Sequence, residues 1–275
     1  MAAAKITQAE KAQRFHALHA GPEIFVIPNP WDPGSARLLE ALDFKALATT
    51  SAGYAFSLGK LDGQVGLDDM IEHCRVLCAS TSLPVSADLE NGYADDPKTA
   101  ANALVRGAEA GLVGGSIEDF SGDPAKPTYD LTHAVERVQA AAEAIRTLPF
   151  KFMFAARADG LLHGTTDHDD IIRRLQAFEA AGADVLYAPG LKTLEELRRV
   201  CSALKKPVNV NMTGLHHTTV AQLAEAGARR ISTGGALARA AIGALMAAGR
   251  EMQAPGTFLW ANGATSGAEL KKLLG

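Results

Sequence analysis

The chain switches between short apolar β-type runs and helical runs eight times, and that period restricts what it can fold into. The β-type runs are Ile24–Pro28, Ala46–Thr50, Pro84–Asp88, Val113–Glu118, Phe152–Arg157, Asp184–Ala188, Pro207–Asn211 and Arg230–Thr233. The helical runs between them are Asp32–Leu42, Leu67–Ser80, Pro97–Ala110, Leu131–Thr147, Asp169–Ala181, Leu194–Ala203, Thr218–Ala226 and Ala236–Ala248. The β-type runs are continuously apolar rather than alternating, as in parallel strands covered on both faces. Three helices end in Ala-Gly before the next strand, at Gly111, Gly182 and Gly227, where glycine serves the left-handed position that closes a helix. Eight such units predict a (β/α)8 TIM barrel. A doubly wound open sheet is the alternative, weakened by the count and by the absence of G-x-G-x-x-G after the first strand.

A length of 275 residues suits one such barrel, so residues 1–275 are expected to form a single domain with a short helical tail from about 255. Within that tail, Ser266–Leu274 reads as a small amphipathic helix. The net charge of −4, from 27 basic and 31 acidic residues, comes with no basic run and no stacking platform of aromatics, which disfavours a nucleic-acid partner. The three cysteines, Cys74, Cys78 and Cys201, contain no C-x-x-C and read as free thiols. Met1–Lys5 lacks the apolar stretch of a signal peptide, and no run is long enough to span a membrane. A cytoplasmic location is expected.

In a barrel the reacting groups stand at the C-terminal ends of the strands. The third run ends in Asp88-Leu89-Glu90-Asn91-Gly92-Tyr93. Residues two apart on a strand share a face, so Asp88 and Glu90 are expected to present paired carboxylates, a hard donor set suited to Mg²⁺ or Mn²⁺. The other ends carry Ser51-Ala52-Gly53, Ile117-Glu118-Asp119, Ala156-Arg157-Ala158-Asp159 and Asn211-Met212-Thr213. A ring of acids around one guanidinium is satisfied by a divalent cation together with an anionic ligand. Arg157 could equally form a structural salt bridge with Asp159 or Glu118, with or without a ligand.

These motifs together resemble the isocitrate lyase/phosphoenolpyruvate mutase superfamily, from about Asn29 to about Ala248. The family's D-x-D-T-G-Y-G is similar to residues 88–94, its L-E-D to 117–119, its A-R-T-D to 156–159, and its S-G-G turn to 51–53. The resemblance implies that Asp88 holds Mg²⁺ directly, with Asp62, Glu90 and Glu118 holding its waters. It implies that Ser51, the amides of Ala52 and Gly53, and Arg157 grip a small 2-oxo or dicarboxylic acid. Asn211, Thr213 and Arg239 match further substrate-binding positions. The shared chemistry is a pyruvate-like enolate, which implies C–C cleavage or decarboxylation of an oxaloacetate-like acid.

The departures from the family narrow this. The lyases' K-[KR]-C-G-H loop is replaced by Phe120–Tyr129, which has no Cys, and Gly190 stands where the lyases place a Glu after strand six. The mutase's K-T-N-S loop is missing as well. Tyr129 and Lys126 are the candidate acid/base residues. A C–P mutase or hydrolase, and a 2-oxo-acid-binding protein without turnover, stay open as alternatives. The segment 163–170 reads as a polar loop that caps the next helix, His216-His217 precedes a helix, and His16 and His19 read as surface or interface residues. In the resembling family the eighth helix is exchanged between subunits. With Gly234-Gly235 as a hinge, that implies a homodimer or homotetramer.

Overall fold

The computed structural model describes residues 6–275; the reading of Met1–Lys5 lies outside the described residues. Eight strands, β1 Phe25–Ile27, β2 Leu47–Ala48, β3 Val85–Asp88, β4 Gly114–Glu118, β5 Met153–Arg157, β6 Val185–Tyr187, β7 Val208–Asn211 and β8 Arg230–Ser232, form one parallel sheet. Their order, β1-β8-β7-β6-β5-β4-β3-β2, curls the sheet into a nearly closed (β/α)8 TIM barrel. The seam between β1 and β2 is held by the Ala48 N–H donating to the Pro28 carbonyl at 3.1 Å. Asn29 reinforces it. Its Nδ2 donates to the Thr49 carbonyl at 2.8 Å, while its Oδ1 accepts the Thr233 and Gly234 N–H groups at 2.8 and 3.0 Å.

Eleven α-helices accompany the strands among the described residues: α1 Gln8–Ala20, α2 Pro33–Ala41, α3 Ser51–Ser57, α4 Leu67–Ser80, α5 Pro97–Glu109, α6 Leu131–Ile145, α7 His168–Ala181, α8 Leu194–Ser202, α9 Val220–Glu225, α10 Ala236–Gln253 and α11 Gly267–Leu274. Their starts are chemically marked. Asp32, Asp96, Asp167, Thr193 and Thr219 each accept an N–H of the first turn, a cap worth about 1 kcal/mol. Gly111, Gly182 and Gly227 take φ of 109°, 110° and 100°, as the Ala-Gly endings required.

The main core lies between the strands and the helix ring, with Leu104, Leu112, Phe154, Leu186 and Val210 among its members. A second cluster closes the bottom of the barrel, where Phe15 and Ala12 of α1 pack on Phe25, Ile27, Val113 and Val185. His19, read from the sequence as a surface or interface residue, is buried there. Its Nδ1 contacts the Phe15 carbonyl at 2.8 Å and its Nε2 lies 3.4 Å from Arg230 Nη1. The aromatic neighbours Phe15 and Phe25 enclose the ring edge-on.

Two further features depart from the sequence reading. Ser51–Ser57 is a short helix rather than a plain turn. Helix α10 runs five residues past the expected end and buries only Ala238 and Ala248. No helix among the described residues is long and apolar enough to cross a membrane. The cysteines are free, and burial pushes the Cys78 and Cys201 thiols up to about 12, so neither is a thiolate near neutral pH.

Candidate active site

The register of the sheet sets the site. Glu118 and Arg157 are direct partners across β4 and β5, and Arg157 is also the partner of Tyr187 on β6. Asp88 ends β3 beside Ser116, and the Glu118 N–H donates to the Glu90 carbonyl at 3.0 Å. Glu90 lies beyond the strand's end, so the alternation of a strand does not aim it. It sits at φ 47°, and Tyr93 at φ 59°. Left-handed backbone at residues with side chains costs of order 1–3 kcal/mol each. The turn directs Glu90 back toward Asp88, whose Oδ1 lies 3.4 Å from the Glu90 amide.

These residues line one cavity of about 200 Å³, with Ser51, Asp62, Gly63, Asp88, Glu90, Glu118, Phe120, Arg157, Asp159, Leu162 and His163 around it. Arg157 is its hub. Nη1 pairs with Asp88 Oδ1 at 2.8 Å, and Nη2 with Glu118 Oε2 at 2.8 Å and Asp159 Oδ2 at 2.7 Å. Nε reaches Asp159 Oδ1 at 3.2 Å. Four of the five guanidinium N–H groups are thereby engaged. The Tyr187 ring lies beneath, 5.2 Å from Cζ. Ser51 Oγ donates to the other oxygen of Asp88 at 3.0 Å.

One guanidinium does not balance the five carboxylates on this wall. Burial, then the Asp88 and Asp62 charges, push Glu90 up to about 7. Burial and Asp88 raise Asp62 at the rim. Burial raises Glu118 well above the usual carboxylate range, even though Arg157 opposes it. For Arg157, burial works against the charge, but Asp159, Glu118 and Asp88 outweigh it and raise its pKa. Such mutual repulsion is relieved by a cation of charge two. Among the described residues no three carboxylate, His or Cys groups form a ready-made ligand cluster. The carboxylate oxygens at Asp88 and around it are hard donors, the kind Mg²⁺ takes together with waters.

Other expected site residues stand apart from this cavity. The Gly53 N–H is taken by Thr50 Oγ1 at 3.2 Å, and a Cβ on Gly53 would meet Thr50 Cγ2 at 2.6 Å and Ala238 at 3.2 Å. This glycine serves the close packing of α3 against α10. Ala52 is beside it in the first turn of α3. Asn211 is tied to Tyr187 through Nδ2 at 3.1 Å, and its Oδ1 accepts both the N–H and the hydroxyl of Thr213. Arg239 is exposed on the first turn of α10 beside Gly235.

The structure does not bring Tyr129 or Lys126 into the cavity. The Tyr129 hydroxyl donates to Asp95 at 2.5 Å beneath Arg137, and burial with that bond pushes it up to about 12. Lys126 pairs with Asp130 at 2.6 Å. His216 and His217 are exposed and touch each other.

The 163–170 loop behaves partly as expected, since Asp167 caps α7. His163, however, lines the cavity and stacks on Phe120, with ring centroids 4.0 Å apart and planes at 7°. It escaped the sequence reading because it lies six residues past β5. The chain returns there through the Thr165 N–H donating to the Gly160 carbonyl at 2.9 Å.

The sequence matches the phosphoenolpyruvate phosphomutase family over residues 15–253. A solved lyase/mutase-type protein of Burkholderia cenocepacia J2315 is 50% identical, covers 96% of each chain and superposes with a TM-score of 0.94. A 2,3-dimethylmalate lyase structure is 28% identical over 96% of this chain and 95% of its own, with a TM-score of 0.83. The oxaloacetate decarboxylase of Ectopseudomonas mendocina is 29% identical over 72% of this chain and 69% of its own. The chain belongs to the isocitrate lyase/phosphoenolpyruvate mutase superfamily, whose members are lyases or mutases.

Proposed function

We propose that this protein is a Mg²⁺-dependent carbon–carbon lyase, with Mn²⁺ as an equivalent hard cation. Its substrate would be a small 2-oxo or 2-hydroxy di-acid of the oxaloacetate kind, cleaved or decarboxylated through a pyruvate-like enolate. The observation that carries this is the single cavity where Asp88, Glu90, Asp62 and Glu118 crowd around Arg157, with three of the four acids raised by burial and repulsion. The names of the relatives, a 2,3-dimethylmalate lyase and an oxaloacetate decarboxylase, support C–C chemistry.

Asp88 would hold the cation, with Asp62, Glu90 and Glu118 oriented around it. The bound cation would supply Lewis-acid stabilisation to an oxyanion developing at the keto oxygen. Arg157 orients the substrate carboxylate with the one Nη1–H left free, and the Asp159 pair keeps its plane fixed. Ser51, which lines the cavity from the start of α3, would approach the same group. Glu118 and Arg157, partners across the sheet, would face the substrate together.

The test is turnover of oxaloacetate by the pure protein against free Mg²⁺. Turnover that rises with Mg²⁺ and is lost with a chelator supports the proposal. Oxalate binding without turnover would favour a 2-oxo-acid-binding protein, a reading supported by the Cys-free loop and by Gly190. Release of phosphate from phosphonopyruvate would favour the C–P alternative. The exposed apolar residues of α10 and the tail support a homo-oligomer, and the charge and motif pattern support a cytoplasmic small-molecule enzyme.

A further inference from the structure

The Phe120–His163 stack has no part in the chemistry above. The two rings come from different loops, Phe120 two residues past β4 and His163 six residues past β5. They face each other nearly parallel at 4.0 Å, and both line the cavity that contains Asp88 and Arg157. The backbone supports each one. Phe120 bridges to Thr128 across its loop, and the His163 N–H donates to the Asp159 carbonyl at 3.2 Å.

The electrostatics of the cavity single out the imidazole. A second carboxylate on a substrate would enter a wall already carrying Asp62, Asp88, Glu90, Glu118 and Asp159. Four of the five Arg157 N–H groups are engaged by Asp88, Glu118 and Asp159. The Ser51 hydroxyl donates to Asp88. Among the described lining residues, His163 is the remaining side chain with an N–H to offer, and neither of its ring nitrogens has a hydrogen-bond partner among the described residues. An imidazole keeps at least one N–H whether neutral or protonated.

The volume agrees. About 200 Å³ is roughly seven times the share of one liquid water, which leaves room beyond a two-carbon head group held at Asp88 and Arg157. Stacking on Phe120 fixes the ring's plane, so its donor is preorganised rather than free to turn.

We propose that His163, held by Phe120, is the subsite for the distal carboxylate of the substrate, and that it selects a four-carbon dicarboxylic acid over a 2-oxo monoacid. This rests on the reading of the metal and 2-oxo-acid site given above. Calorimetry in Mg²⁺ with two probes separates them. Oxalate mimics the head group alone, and 3,3-difluorooxaloacetate carries the distal carboxylate. His163→Leu should leave oxalate affinity within about twofold and weaken difluorooxaloacetate by about tenfold or more, the value of one hydrogen bond to a charged group. His163→Gln, which restores an N–H donor, should recover part of that loss. Equal affinity of wild type and His163→Leu for the four-carbon acid would overturn the subsite and leave the metal site standing. Failure of the wild type to bind oxalate would overturn the metal reading and the subsite with it.

Discussion

Arg157 grips both oxygens of Asp159, through Nη2 at 2.7 Å and Nε at 3.2 Å. Asp159 is itself 1% exposed. Its N–H donates to Asp119 Oδ1 at 2.7 Å, and Asp119 Oδ2 accepts Arg174 Nη1 at 3.0 Å. Arg174 then pairs with Asp170 at 2.8 Å. Two arginines and three carboxylates, with the Asp159 N–H joining the two neighbouring acids, thus run from the cavity to α7 and hold the guanidinium plane. A buried network of this kind serves geometry more than net stability.

The first prediction follows from that grip. A lysine supplies one point charge and cannot hold Asp88, Glu118 and both oxygens of Asp159 together. Arg157→Lys should lower the melting temperature and weaken Mg²⁺-dependent oxalate binding by about 1–3 kcal/mol. Calorimetry well below the melting point separates the two effects. Undiminished affinity in the folded variant would leave Arg157 with a structural role alone.

Asp88 gives a cleaner separation. Removing it leaves Arg157 paired with Glu118 and Asp159, so the fold should survive. Asp88→Ala should abolish the Mg²⁺ dependence of oxalate binding. Titration with oxalate at several Mg²⁺ concentrations checks it, and an unchanged dependence would sink the assignment.

The barrel was legible because its period is carried by many residues at once. Strand ends such as Asp88, Glu118, Arg157 and Asn211 fell where the apolar runs stopped. The site was less so. Glu90 reaches the cavity through a left-handed turn rather than through strand alternation. His163 returns through a loop whose turns no periodicity announces, and Tyr129 is drawn away by Asp95 and Arg137. The α3 helix hid in a seven-residue Ser/Gly/Tyr segment too short to show a face. His19 looked exposed because its burial comes from the barrel bottom, a contact distant in sequence.

The Cys-free loop carries a negative prediction. Phe120–Tyr129 closes on itself through the Ser121 N–H to Pro127 carbonyl bond at 2.8 Å and offers no thiol. With Mg²⁺, the pure protein should release no glyoxylate from isocitrate and no pyruvate from methylisocitrate. A coupled dehydrogenase assay for each product decides it, and robust release of either would overturn this reading of the loop.

A pH signature should come from the barrel bottom. Burial first, then the Arg230 charge, lowers His19 from 6.5 to about 3. The unfolded chain therefore binds the proton that the fold refuses, so His19 contributes stability above pH 6.5 that is lost as pH falls toward 3. Glu90, raised to about 7, acts in the opposite sense over part of that range, so the total curve is not diagnostic. The difference in melting temperature between wild type and His19→Gln should shrink as pH drops from 7 to 5. A difference that stays constant across that range would show that His19 is not held neutral.

Helix α10 motivates the last prediction. Its apolar side carries Leu245 at 71% and Met246 at 49% exposure, and the following segment carries Phe258 at 67% and Leu259 at 68%. Within its own subunit α10 touches chiefly α3 and the 259–263 turn, so most of its length lacks a seat. So many large apolar side chains are rarely left in water on a monomer. Gly234, at φ 50°, and Gly235 precede the helix and would serve as the hinge of an exchange between two copies. We propose that α10 packs on a second barrel and that the protein is a dimer or tetramer. Light scattering at dilute concentration should give a multiple of the 28.8 kDa chain. Leu245→Glu with Met246→Glu, or a chain cut after Gly249, should shift it to the monomer mass while circular dichroism shows the barrel intact. A monomer mass for the unaltered protein would refute the exchange.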